Sequence, residues 1–408
     1  MHPKDISITD FTYDLPDERI ARYPLAERDA SKLLLYRKGQ ISESRFRQLA
    51  DFVPGGSLLV FNNSKVVEAR LLFEKATGGI IEIFALEPHE QYADITTAMN
   101  VTGSILYKCM VGGASKWKPG MVLEKRSAGS DGHGISVSAS IVEKRSDCFV
   151  IKFEWQPASL AFAQILHVLG EIPIPPYLQR AADSTDATRY QTIYAQNDGS
   201  VAAPTAGLHF AQPVFEALQQ NKVDLAFTTL HVGAGTFKPV KAATMAGHEM
   251  HAEFMEIDTA LLRRLLQYPT VIPVGTTSMR TLESIYWMGV KACHDPEIAL
   301  TDLELTQWEV YDVLADKAVG RKEALQALLD WMERRSKGQL IVKTSIIIAP
   351  GYTFRICNGL ITNFHQPNST LLLLVAALIG PDWKAVYAYA LENDFRFLSY
   401  GDSSLLLP

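Results

Sequence analysis

The sequence predicts an α/β main domain, layered and with a largely parallel sheet, carrying an inserted small β-barrel domain. Three observations support this. From about residue 157 onward, strand-like runs alternate with helical patterns, the rhythm of a sheet covered by helices. Between about 65 and 156 the texture changes to short β-rich pieces separated by turn residues, which suits a small barrel or sandwich. The 408 residues allow two or three domains, each with its own core. The expected division is 1–64 with 157–408 for the main domain and 65–156 for the insertion.

Taken in order, Asp17-Glu18-Arg19-Ile20-Ala21 suits a short helix. Lys32-Leu33-Leu34-Leu35-Tyr36 and Ser57-Leu58-Leu59-Val60-Phe61 read as buried strands. In the insertion, strand signals fall at residues 79–86, at Met121-Val122-Leu123-Glu124 before a loop Gly129-Ser130-Asp131-Gly132, and at residues 148–153. Beyond it, residues 223–230, 260–267 and 271–275 give a strand–helix–strand unit. Residues 321–337 form an amphipathic helix with Leu325, Leu328, Leu329 and Met332 on one stripe and Gly338 as its stop. The segment 287–343 that contains it has no role legible from sequence. The apolar run 371–379 is too short for a bilayer and reads as a buried helix.

Composition narrows the function. Apolar and charged fractions of 47% and 21% belong to an ordinary globular protein. A net charge of −6 argues against nucleic-acid binding through the overall field, but local patches remain open. Lys108, Lys116 and Lys118, followed by Lys125, Arg126, Lys144 and Arg145, form such a cluster; the competing reading is a solvated face. Four cysteines without CxxC spacing suggest neither a zinc site nor a disulfide framework. The first residues lack a basic stretch leading into an apolar core, so a cytoplasmic setting is expected.

Four segments carry the chemistry. Residues 200–210 crowd small side chains around Thr205, Gly207 and His209, which lets backbone approach a ligand closely. His231-Val232-Gly233-Ala234-Gly235-Thr236 follows a predicted strand, where open α/β sheets place their ligand loops. Gly275-Thr276-Thr277-Ser278-Met279-Arg280-Thr281-Leu282-Glu283 also follows a strand and suits an anionic group at a helix N-terminus. Thr362-Asn363-Phe364-His365-Gln366-Pro367-Asn368 leads into a last apolar helix.

Each has a plainer reading as a cap, a turn or a satisfied polar group. The Gly-x-Gly lacks the third glycine of a dinucleotide site. A shared position at strand ends nevertheless favours one pocket. His248-Glu249-Met250-His251-Ala252-Glu253 lacks the spacing of zinc hydrolases, and there is no GxSxG nucleophile elbow.

Together these residues resemble the S-adenosylmethionine:tRNA ribosyltransferase-isomerase family, nearly end to end. The likeness runs through Asp14-Leu15-Pro16, Glu27-Arg28-Asp29-Ala30-Ser31-Lys32-Leu33, Asn62, Lys65, Ala69-Arg70-Leu71 and Thr77-Gly78-Gly79. It continues through Gly170-Glu171-Ile172-Pro173-Ile174-Pro175-Pro176-Tyr177, Tyr190-Gln191-Thr192-Ile193-Tyr194-Ala195, the four segments, and Arg396-Phe397-Leu398-Ser399-Tyr400-Gly401-Asp402. The chain departs from the family's usual Leu and Lys at Gln366 and Asn368, from its usual Asp at Asn358, and from its threonine-rich run at Thr277-Ser278-Met279.

The resemblance implies an α/β domain with an inserted six-stranded barrel. It implies transfer and isomerisation of the ribosyl part of S-adenosylmethionine onto 7-aminomethyl-7-deazaguanine at the tRNA wobble position, giving epoxyqueuosine, adenine and methionine. No metal or further cofactor is expected, and no membrane; the partners are tRNA and S-adenosylmethionine, and the chain is expected to be a monomer. His209, His231, His365, Thr205 and Arg280 are the catalytic candidates. Tyr177, Gly207, Gly233, Gly235, Thr236, Thr276, Thr277, Glu283, Asn363 and Phe364 are the substrate-binding ones, with Tyr177 or Phe364 stacking on a base. A non-catalytic nucleotide- or RNA-binding relative, or an enzyme that uses S-adenosylmethionine with another acceptor, are the competing readings.

Overall fold

Three strands of the large sheet, Leu58–Asn62, Val271–Val274 and Leu360–Asn363, are buried at every position. Strands covered on both faces lose their polar alternation, as expected where helices lie on both sides of a sheet. In the computed structural model, which describes residues 2–75, 78–118, 120–127, 134–146, 148–233, 242 and 244–408, these three occupy the middle of a nine-stranded sheet. Its order is Gln339–Thr344, Glu253–Asp258, Asp224–His231, Leu58–Asn62, Val271–Val274, Leu360–Asn363, Ser403–Leu407, Lys32–Arg37, Gln40–Arg45.

The four strands from Asp224–His231 to Leu360–Asn363 run parallel to one another. The sheet as a whole is mixed, which corrects the expectation of a largely parallel one. Gln40–Arg45 follows Lys32–Arg37 through Lys38 and Gly39, both with positive φ. A connection of two residues can only return the chain antiparallel. At the other edge, Glu253–Asp258 and Gln339–Thr344 are also antiparallel additions.

Successive residues of the central strands feed two cores, the two-residue period of a pleated strand. Leu58 and Val60 face the larger core with helices Thr259–Gln267, Thr276–His294, Arg321–Arg334, Thr370–Ile379 and Trp383–Glu392. Leu59 and Phe61 face the smaller one with Phe46, Phe210, Val214 and Leu218. The segment 287–343 is structural: Leu325, Leu328, Trp331 and Met332 are buried in the larger core. Helices Thr276–His294 and Arg321–Arg334 meet so closely that a Cβ on Gly289 would lie 2.2 Å from the Ala324 carbonyl. The apolar run of Thr370–Ile379 is likewise core-facing, with Leu372, Leu373 and Leu374 buried.

The second sheet is antiparallel throughout, in the order Arg70–Glu74, Ile80–Pro88, Ser104–Gly112, Phe149–Gln156, Ile135–Lys144, Leu123–Ser127. Its first and last strands approach each other, so the sheet nearly closes into a barrel. Leu71, Phe73, Ile83, Tyr107, Ile151 and Phe153 fill it, and helix Phe162–Leu169 inserts Phe162, Ile165 and Leu166 into the same core. The predicted loop 129–132 and Thr77 lie outside the described residues.

Candidate active site

Parallel strands align their carboxyl ends along one edge of a sheet, and ligands of open α/β sheets bind there. Along that edge the loops after Asp224–His231, Val271–Val274 and Leu360–Asn363 enclose a cleft of about 640 Å³, within the roughly 300–1,000 Å³ usual for small-molecule sites. Thr205, Gly233, Thr276, Thr277, Arg280, Asn363 and His365 all border it, as does Tyr177. All four predicted segments reach the cleft: 362–368 along its length, 200–210 through Ala202 to Ala206 without Gly207 or His209, 275–283 through Gly275, Thr276, Thr277 and Arg280, and the fourth through Val232 and Gly233. Gly235 and Thr236 lie outside the described residues.

Helix Thr276–His294 starts at the cleft with no side chain capping its first turn, leaving backbone N–H groups and the positive end of the helix dipole there. Arg280, 7% exposed, stands one turn in. Its Nη1 is paired with Glu253 and its Nε donates to the Ile346 carbonyl at 3.2 Å. Its Nη2 and the Thr277 hydroxyl are buried without a hydrogen-bond partner among the described residues. Unpaired buried donors cost free energy, so two of them beside a helix N-terminus mark a place prepared for an acceptor.

Asn363 supplies the complementary group. Its Nδ2 donates to the carbonyls of Leu398 and Ser399 at 3.0 and 3.3 Å and lies 3.3 Å from His209 Nε2. Three acceptors around one nitrogen fix the orientation of the amide. Its Oδ1 is then the buried, unpartnered acceptor.

The three predicted histidines divide. His365 borders the cleft; Thr362 Oγ1 holds its Nε2 at 2.9 Å, and burial lowers its pKa to about 4. His209 is lowered to about 4 as well, first by burial. Ser31 Oγ sits 2.8 Å from its Nδ1 and Asn363 occupies Nε2, so both nitrogens of His209 are engaged behind the cleft. His231 does not border the cleft. Its Nε2 meets Glu256 at 3.1 Å and its Nδ1 lies against Gly199. Burial alone would raise the Glu256 carboxyl, but hydrogen bonds from His231, Thr96 and Gln339 outweigh it and hold the pKa below the ordinary range. Through Thr96, this pair ties the large sheet to the insertion.

Three further expectations are corrected by geometry. Glu283 is fully buried and accepts from Tyr352 Oη and from the N–H groups of Arg355, Ile356 and Cys357; with its oxygens saturated it anchors a loop. Gly207 is needed for protein packing, since a Cβ there would lie 2.0 Å from Tyr194 Oη. Phe364 borders the cleft, but it is 1% exposed and its ring packs against Tyr387, Phe395 and Phe397 with centroids 4.9–5.6 Å away, which leaves almost no surface for stacking on a base. Tyr177 keeps its place at the cleft, its hydroxyl 2.6 Å from Ser399 Oγ and its pKa pushed up to about 12 by burial.

Sequence reasoning weighed the other wall only as a metal site. His248, Glu249, His251 and Glu253 border the cleft, and the density of titratable residues there was the available signal. Burial, reinforced by His251, lowers the His248 pKa. No group of three or more His, Cys, Asp or Glu among the described residues is arranged to hold a metal. Of the positions that depart from the family, Gln366 and Asn368 border the cleft. Asn358 lies at the far end of the sheet, exchanging hydrogen bonds with the backbone of Val271.

An α/β sheet whose parallel strands end at a cleft bordered by buried polar groups has the architecture of a small-molecule-binding α/β protein. The family described as "Queuosine biosynthesis protein" matches residues 8–406, and the chain belongs to that family. It is 37% identical over 405 residues to the S-adenosylmethionine:tRNA ribosyltransferase-isomerase of Legionella pneumophila (strain Lens), covering 98% of this chain and 99% of the relative. It is 36% identical over 409 residues to the protein of the same name from Azoarcus sp. (strain BH72), covering 98% and 97%. The crystal structure of S-adenosylmethionine tRNA ribosyltransferase from Thermotoga maritima aligns at 26% identity over 98% of this chain and 100% of that one, with a TM-score of 0.45.

Proposed function

We propose that this chain is an S-adenosylmethionine:tRNA ribosyltransferase-isomerase. It transfers and isomerises the ribosyl group of S-adenosylmethionine onto 7-aminomethyl-7-deazaguanine at the tRNA wobble position, forming epoxyqueuosine and releasing adenine and methionine. The observation that carries this is the near-complete, end-to-end similarity to proteins of that name. The division into residues 1–64 with 157–408 and an inserted 65–156 belongs to the same reading, supported by six antiparallel strands lying between 70 and 156. So does its action as a cytoplasmic monomer needing no further cofactor.

The chemistry asks for few groups. A sulfonium acidifies the adjacent C5′ protons, and a base within reach starts the reaction. Adenine leaves C1′ with a proton, and the amine takes its place and loses one. C5′ bonds to C1′ as the ring oxygen passes from C1′ to C5′ to close the epoxide, which breaks the C5′–S bond and releases methionine as a thioether. His365 takes the base role: of the three histidines predicted from sequence it is the one that borders the cleft, and burial keeps it neutral at pH 7. Arg280 Nη2, Thr277 Oγ1 and the helix N-terminus receive the methionine carboxylate. Thr276 and Thr205 line the same cavity, and Glu253 offsets the Arg280 charge while facing the ammonium and sulfonium. Asn363 Oδ1 accepts from a substrate N–H or O–H, held in place by His209, while Tyr177 and Gly233 bound the ligand.

Purified protein is incubated with S-adenosylmethionine and tRNA bearing the aminomethyl base, and free adenine is followed. Adenine release that depends on this tRNA is expected. Absence of release with any tRNA would favour a binding protein, and release with a different acceptor another transferase.

A further inference from the structure

None of Glu27-Arg28-Asp29-Ala30-Ser31-Lys32-Leu33 borders the cleft. Most of this motif is explained by pairing and packing. Glu27 and Asp29 face Arg47 at 2.7 and 3.4 Å, Ser31 meets His209, Lys32 Nζ donates to the Asn393 carbonyl at 2.6 Å, and Leu33 is core. The charge of Arg28 is not explained. Its guanidinium donates to the carbonyls of Thr188 at 2.7 Å and Leu208 at 3.3 Å. Arg189 reaches back to the carbonyls of Leu25 and Ala26.

The two guanidinium groups staple segments 25–28 and 188–208 to each other, but all four acceptors are neutral. The nearby acids are committed elsewhere: Asp183 and Asp186 to Arg180, Glu27 and Asp29 to Arg47, and Asp402 to Arg396. Neutral donors would close the same bonds, whereas two like charges in one crevice repel. Burial, and after it the charge of Arg189, lowers the Arg28 pKa. Arg189 Nε is buried without a partner among the described residues. With Arg396 they line a shallow crevice of about 20 Å³ over Ser31, His209 and Tyr400, and Ser399 borders both this crevice and the cleft.

We propose that Arg28 and Arg189 form a clamp for a backbone phosphodiester of the tRNA, beside the S-adenosylmethionine cleft. Paired guanidinium forks match phosphate oxygens in a way an ammonium does not. An arriving phosphate supplies the anion that Arg28 and Arg189 lack and relieves the repulsion. This inference rests on the tRNA reading above.

The test uses Arg28→Gln and Arg189→Gln, whose amides still donate to carbonyls but carry no charge, with Arg28→Lys and Arg189→Lys as charge-retaining controls. Affinity for the substrate tRNA is measured across a salt series. Each Gln variant is expected to flatten the slope of log K against log[salt] by about 0.7–0.9 and weaken binding several-fold at low salt. Each Lys variant keeps most of the slope, and S-adenosylmethionine affinity is unchanged in all four. A wild-type slope in both Gln variants overturns the clamp.

Wild-type protein gives a second readout that needs no variant to fold. Bound tRNA should protect Arg28 and Arg189 from phenylglyoxal, read by mass spectrometry, and 20 mM inorganic phosphate alone should not. No protection by tRNA, or equal protection by phosphate, overturns the proposal. Tests of the clamp and of the activity part ways: tRNA-dependent adenine release with unaltered salt slopes removes the clamp alone, while no tRNA binding at all removes both.

Discussion

The rim of the large sheet and the surface of the barrel treat polar groups in opposite ways. On the barrel, several charges are satisfied at home: Lys108 by Glu87 and Glu90, Arg145 by Glu90 and Glu143, Arg126 by Glu124, Arg70 by Glu82. Around the cleft, Thr277, Arg280 and Asn363 each leave one buried polar atom without a partner. A protein tolerates such atoms where a ligand completes them; they also occur away from the cleft, at Ser57, Tyr194 and Arg355 among others, so incomplete pairing marks the site only together with the cleft itself. Of the seven basic residues predicted to cluster on the barrel, Lys108, Arg126 and Arg145 are paired with acidic neighbours, and Lys125 and Lys144 make no ion pair among the described residues. Lys116 and Lys118 are exposed and make no ion pair among the described residues.

Removing Arg280 should break this contrast most severely. Arg280→Met leaves the buried Glu253 carboxylate uncompensated, and denaturant unfolding should show a loss of about 3–5 kcal/mol, with S-adenosylmethionine-dependent adenine release abolished. Loss of activity at unchanged stability would mean that the pair is far less buried than the geometry indicates.

Acid should loosen the cleft before the barrel. His209 and His365 have folded pKa values of about 4, below the roughly 6.5 of an unfolded histidine. The unfolded chain therefore binds more protons between these values. Their contribution is complete above pH 6.5 and lost as pH falls towards 4, on the order of 3 kcal/mol each. His365→Gln should flatten the fall in stability between pH 6.5 and 4. On the barrel, hydrogen bonds from Arg145 hold the Glu90 carboxyl well below the usual range, so its pairing survives to lower pH. A barrel signal that melts first would reverse the comparison.

The smallest effect belongs to the barrel lysines. Lys116→Ala with Lys118→Ala should leave stability within about 0.5 kcal/mol while modestly weakening tRNA binding and flattening its salt dependence. An unchanged salt slope removes this face from the tRNA interface.

Much of this was legible without coordinates because it depends on local periodicity. The alternation after residue 157, the β-rich texture of 65–156 and the strand-end position of the Thr276–Arg280 run are all local. What was not legible depends on distant neighbours. Glu283 looked like a ligand-facing carboxylate because the N–H groups it accepts belong to residues 355–357, some seventy positions away. Phe364 looked like a stacking platform, but the ring is buried against Tyr387, Phe395 and Phe397. His209 looked like a base, but Ser31 and Asn363 occupy both of its nitrogens. The antiparallel edge was partly readable, since Lys38-Gly39 is a tight-turn pair.

The central claim is that the unpartnered atoms at the strand ends are completed by the sulfonium nucleoside. A crystal structure with the unreactive analogue S-adenosylhomocysteine tests it most directly. Its carboxylate should lie within hydrogen-bond distance of Arg280 Nη2 and Thr277 Oγ1, with Asn363 Oδ1 meeting another part of the ligand. Density for the analogue elsewhere, with those atoms still unpaired, would contradict the account.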